Sequence, residues 1–226
     1  MLIAHLGPLA SSVFSLIAIA SLLLSFVMLG SRWLRHYLYA FAVQSWLIAI
    51  LSASVGYYAN FPELYLIAIL TFLFRGLLLP YLLLRIVRRL SVPRELHEIL
   101  RPSSSLVVGA LGVVFALAVA HNISAELSLA GTIAVLALTV MLSMKLIGFL
   151  MLSVRHEAIS QILGLLLLEN GVFLGAQILV PGMPLLIEIV ILFDLLIVVA
   201  CFGVLVRYLL THVGTTSSLE LKRLVG

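Results

Sequence analysis

The chain has 226 residues, 64% of them hydrophobic and 10% charged, which leaves too little polar surface for a water-soluble domain and reads as a polytopic membrane protein. Its 13 basic and 9 acidic residues give a formal charge of +4, but the basic residues fall in short loops, so they report topology and not a nucleic-acid surface. The one cysteine, Cys201, lies in an apolar run, which excludes an internal disulfide and leaves no ligand set for an iron–sulfur cluster or structural zinc, so no cofactor is expected.

Seven apolar stretches, near residues 7–29, 37–58, 64–84, 106–120, 127–152, 159–180 and 185–210, are each read as one span of about 20 residues. The first lacks the basic n-region and cleavage site of a signal peptide and is read as a retained span. The fourth is short on this reading. The predicted fold is therefore an all-α membrane protein with about seven transmembrane helices. Residues 1–104 form a three-helix region ending in a basic loop, 105–210 a four-helix region, and 211–226 a polar tail.

Loops after the odd-numbered spans carry the basic residues, among them Arg32, Arg35, Arg85, Arg88, Arg155 and Lys222. The alternate loops, around residues 60–63, 121–126 and 181–184, carry no Lys or Arg. The positive-inside rule then puts the N-terminus outside and the C-terminus in the cytoplasm, in a cytoplasmic-type cell membrane. Residues 91–100 read either as a short helix lying on the membrane surface, with Leu96, Ile99 and Leu100 as its apolar stripe, or as a polar linker.

Charged residues at membrane depth carry the functional signal, since an acid or base at a helix centre costs about 2.5–3.5 kcal/mol on insertion scales. In the third span, Arg75 precedes Pro80, whose missing N–H removes the helical partner of the Gly76 carbonyl and predicts a kink beside the guanidinium. Arg75 either serves structurally, neutralising a neighbouring carboxylate or bonding the freed backbone, or tunes the proton affinity of that carboxylate. Lys145 in the fifth span and Glu169 in the sixth lie about 6 Å apart in depth by counting from Arg155 at ~1.5 Å per residue. They read as a proton-relay pair or as a permanent ion pair that locks two helices. Gly171 and Gly175 form a small-xxx-small pair beside Glu169 that admits a close helix neighbour. In the last span Asp194 sits near mid-depth and Glu188 near the outer interface. The wheel sets these two acids about 120° apart, making Glu188 a candidate for an outer-side path only.

The segment from Glu157 to Gly171, with Gln161, Gly164, Glu169 and Asn170, then Leu185 to Asp194, then His212, Gly214, Thr215 and Lys222, resembles the C-terminal part of hydrogenase-4 component E. That family comprises small membrane subunits of group 4, energy-converting hydrogenases, and the region is similar to the K subunit of complex I and the C subunit of Mrp-type antiporters. The resemblance covers about residues 155–226, and Arg75 to Pro80 resembles the family's Lys-x-x-x-x-Pro element. It implies a subunit that is non-catalytic on its own, with Glu169 and Asp194 as the two intramembrane acids of an ion path for protons or sodium. It implies antiporter-like and other membrane subunits as partners, a soluble redox module in indirect contact, and no nucleic acid. Asp194 stands where complex I subunits have glutamate, and the connection over residues 181–184 is shorter. Two further readings stay open from the residues themselves: a structural membrane adaptor, and a stand-alone secondary transporter.

Overall fold

The computed structural model describes residues 8–31, 33–89, 102–126, 132–155 and 158–179, with Phe193, Ala200, Gly203, Val204, Arg207 and Tyr208 as isolated positions beyond them. The described residues form an all-helical bundle. Helix α1 spans Pro8–Gly30 and α2 spans Leu34–Ala59; the third crossing is built from α3 (Glu63–Leu70), a π-helical segment (Thr71–Leu78) and α4 (Leu79–Arg89). Then follow α5 (Pro102–Glu126), α6 (Thr132–Val154) and α7 (Ala158–Leu179). Five stretches, α1, α2, the composite third helix, α5 and α6, are long and apolar enough to cross a membrane, and α7 packs among them. The chain is thus a multi-pass membrane protein. The predicted surface segment 91–100, the tail and, apart from those isolated positions, the seventh span lie outside the described residues.

Short connections make the neighbours antiparallel. Asn60 closes α2 in the left-handed conformation (φ 58°), its N–H bonding to the Gly56 carbonyl, and Pro62 precedes α3. An asparagine tolerates that conformation where most side chains do not. Helices α6 and α7 form the tightest pair. A Cβ placed on Gly148 would stand 2.8 Å from the Gly164 carbonyl oxygen, and one on Gly164 would stand 3.0 Å from that of Gly148, so only glycine at both positions lets the backbones touch. Gly171 and Gly175 extend the same seam against Met141 and Met144 of α6, as the small-xxx-small pair predicts.

The apolar core sits between α1, α2, α6 and α7, with Phe14, Phe41, Ile48, Met144, Ile147, Leu163 and Leu167 among its members. Helix α5 lies outside this core, burying only Ser105, Gly109, Ala116, Ala120 and Ser124 and exposing Val107, Leu111, Val114 and Phe115. Its 25 residues correct the short fourth span. Hydropathy stops at the polar residues flanking 106–120, whereas a helix keeps its own backbone hydrogen bonds and continues through them.

The third crossing also departs from a simple proline kink. The backbone widens over the eight residues before Leu79, whose N–H bonds to the Phe74 carbonyl five residues back. The proline therefore sits just after a shift in the hydrogen-bond ladder, where one missing N–H interrupts least. A Cβ on Gly76 would collide with the Trp46 indole of α2, so the widened turn lies directly against that helix.

Candidate functional site: a buried polar layer

Arg75, in the π-helical segment, is fully buried. Its Nη1 donates to Asn170 Oδ1 (3.1 Å), and its guanidinium carbon lies 4.8 Å from the Phe173 ring centroid. Asn170 Nδ2 donates onward to Gln44 Oε1 (3.1 Å) and Ser45 Oγ (3.4 Å) of α2. Gln44 Nε2 donates in turn to the Ser21 carbonyl (2.8 Å) and to Ser25 Oγ (2.9 Å) of α1, and Ser25 Oγ donates to the same carbonyl (2.9 Å). One hydrogen-bonded chain thus links the third crossing, α7, α2 and α1 at a single level. Every side chain in it is buried.

The contacts between α2 and α7 recur every seven residues in a constant register. Tyr37 Oη donates to the Leu163 carbonyl (2.6 Å), Asn170 meets Gln44 and Ser45, and Gln177 Nε2 donates to Ser52 Oγ. A constant offset means the helices run parallel, and the period of seven gives a coiled-coil-like seam with polar rungs. From Tyr37 to Ser52 the rungs span about 22 Å at ~1.5 Å per residue, against a hydrocarbon core of about 30 Å.

Glu169 precedes Asn170 in this layer and is half-buried. Lys145 of α6 is half-buried too, and its backbone nitrogen lies 3.6 Å from the Cβ position of Gly171. The glycine seam therefore reduces the depth offset between Lys145 and Glu169 to about 3 Å from the ~6 Å expected by counting. Their directions differ. At about 100° per residue Glu169 leaves α7 roughly 130° around from the face of Gly164, Leu168, Gly171 and Gly175 that meets α6, and emerges on the flank beside Phe173 and Arg75. Arg75, Asn170, Glu169 and Lys145 share one layer, with Arg75 and Lys145 on different sides of α7. Glu188 and Asp194 lie outside the described residues.

Arg155, expected as a loop cation, is only 2% exposed. Its Nη2 reaches the carbonyls of Met28 (3.2 Å), Leu29 (3.3 Å) and Ser31 (3.1 Å) at the end of α1, and its guanidinium faces the Tyr37 ring at 5.8 Å. A cation there satisfies carbonyls that a helix C-terminus leaves open and complements its dipole. It also shows that α1 and α6 end at the same end of the bundle.

Sequence reasoning found Arg75, Lys145 and Glu169 by charge and depth, and Asn170 within the Glu157–Gly171 segment. Gln44, Ser45, Ser52 and Gln177 went unremarked because uncharged polar residues are common in spans. The available signal was their spacing, with Ser45 and Ser52, like Asn170 and Gln177, seven apart.

The chain is similar, at 29% identity over 184 residues, to an uncharacterized protein of Mycobacterium tuberculosis, the match covering 81% of this chain and 82% of that one. No family model and no solved structure matches.

Proposed function

We infer that the chain is a non-catalytic membrane subunit of a redox-driven assembly of the complex I-like, group 4 hydrogenase type, contributing buried charges to the movement of protons or sodium ions. The observation that carries this reading is the layer itself: a fully buried arginine hydrogen-bonded to the amide of Asn170, with the half-buried Glu169 next to that amide in the chain, inside a membrane bundle. Intramembrane ionisable residues are costly and are kept where an ion moves or a buried polar contact is made. In this account Glu169 is the exchanging group, Arg75 sets its field, and Asp194 on a seventh span continues the path. Glu188 serves at the outer side. Lys145 joins through the shared level and not through direct facing. The N-terminus lies outside and Arg155 at the cytoplasmic end.

A structural adaptor is the second reading, favoured by one observation. The links from Arg75 to Asn170, Gln44 and Ser25 each join different helices, so the same network would hold a bundle together without moving an ion. Purification from native membranes under mild detergent tests the assembly. Co-purification with antiporter-like membrane subunits and a redox module supports the subunit reading. Recovery alone, with ion transport by the isolated protein in vesicles, contradicts it.

A further inference from the structure

The α2–α7 seam continues past the arginine layer to the rung where Gln177 Nε2 donates to Ser52 Oγ, which itself donates to the Ile48 carbonyl. Gln177 is 4% exposed and Ser52 fully buried. Among the described residues Gln177 Oε1 accepts no hydrogen bond, and the hydroxyl of Thr71, also fully buried, makes none. Ser25, Ser52, Ser54, Thr139 and Ser153 each donate to the carbonyl four residues back, whereas Thr71, at the start of the π-helical segment, does not, nor do the buried hydroxyls of Ser21, Ser105, Ser143 and Ser160. Thr71 stands apart from those four in sharing the α2–α7 seam with a second unsatisfied polar atom, Gln177 Oε1.

Two independent registers bring Thr71 beside this rung. Along α2, the close approaches of Gly56 to Leu64 and of Gly76 to Trp46 interpolate to place Thr71 opposite residues 49–51, next to Ser52. Along α7, Arg75 meets Asn170 and Phe173, and one turn back in the antiparallel direction sets Thr71 opposite residues 174–177. A hydroxyl and an amide oxygen, both buried and both without a hydrogen-bond partner among the described residues, therefore lie at neighbouring levels on the Asn60 side of the arginine layer, Thr71 one turn (~6 Å) and Gln177 one heptad (~10 Å) from it.

Leaving a buried polar atom unsatisfied costs about 1–3 kcal/mol, and the usual remedy in a polar interior is a bound water with two to four partners. We propose that Thr71, Ser52 and Gln177 form a water-binding site that carries the proton path from the Arg75–Asn170–Glu169 layer toward the Asn60 end of the bundle. This rests on the ion-path reading above. The water accepts a proton on one side and releases a different proton from the other, returning to neutral water after each transfer. The hydroxyl and amide groups hold its orientation and are not themselves ionised.

Radiolytic hydroxyl footprinting of the full chain within its native membrane complex reads bound water directly, because radicals form from the water itself. The reporters are Leu51 and Leu174, both fully buried, and the controls are Ile147 and Leu167 of the apolar core. Oxidation at the reporters, absent at the controls, is expected in the unaltered protein. It should fall to the control level in the double variant Thr71→Val, Gln177→Leu and persist in Thr71→Ser, which keeps the hydroxyl. Proton uptake per redox turnover should fall in the double variant and hold in Thr71→Ser. Unoxidised reporters in the unaltered protein overturn the site. Oxidised reporters with unchanged proton uptake in the double variant overturn its place on the path. Failure of the underlying reading shows separately, as full coupling in Glu169→Gln while the footprint remains.

Discussion

Replacing Asn170 by leucine removes the junction of the polar layer while preserving approximate side-chain volume. Three hydrogen bonds disappear: the one accepted from Arg75 Nη1 and those donated to Gln44 Oε1 and Ser45 Oγ. The first involves a charged donor and is worth about 1.5–3 kcal/mol, whereas neutral interhelical bonds in membranes average about 0.6 kcal/mol because the separated helices find other partners. The arginine link dominates, and the total loss is roughly 3–4 kcal/mol. Asn170→Asp separates the two contributions: it keeps the acceptor for Arg75, now charged, and loses the donor to Gln44, so it should be much milder. The assay is reversible unfolding of the purified full chain in bicelles. Arg75→Met combined with Asn170→Leu should cost less than the two single changes together, by about 1.5 kcal/mol or more. Additive losses would show that the two side chains do not interact in the membrane and would refute the layer.

Other expectations follow from single contacts. Arg155→Leu removes the donor to the Met28, Leu29 and Ser31 carbonyls and should speed amide exchange at the end of α1, with a stability loss of about 1.5–3 kcal/mol that Arg155→Lys restores only in part. Unchanged exchange there would remove the capping role. Gly148→Ala should cost about 1–3 kcal/mol by forcing α6 from α7, while Gly112→Ala, where the new Cβ meets only ordinary contacts at 3.6 Å, should be nearly silent in the same unfolding assay. In a Cys201→Ser background, cysteines at the exposed positions Asn60 and Asn122 should label from outside, and one at Arg88 only from the cytoplasm. Reversed access would overturn the sidedness.

Much of the bundle was legible because hydropathy and chain length report burial in lipid directly: six of the predicted spans coincide with α1, α2, the composite third helix, α5, α6 and α7. The errors have physical causes. The ends of α5 are polar but still helical, and the response to Pro80 spreads back over a π-helical turn that no local propensity announces. Gly171 and Gly175 were readable as a close-packing pair, but Gly148 and Gly164, where the backbones meet, are sixteen residues apart and become neighbours only once α6 folds back on α7. Arg155 looked like a loop cation because its partners are main-chain carbonyls, which sequence does not reveal. In the polar layer, charge exposed Arg75 and Glu169, while Gln44 needed the α2–α7 register to acquire meaning.

The most direct test of the ion-path account is proton or sodium uptake per redox turnover in vesicles carrying the intact complex with Glu169→Gln. Glutamine keeps the volume and hydrogen-bonding capacity of the side chain but cannot exchange a proton as a carboxyl does. The account predicts an assembled complex whose redox turnover is no longer matched by ion uptake, with Glu169→Asp milder and Asp194→Asn similar. Full coupling in Glu169→Gln with the complex intact would contradict it and leave the buried layer as a helix-packing device.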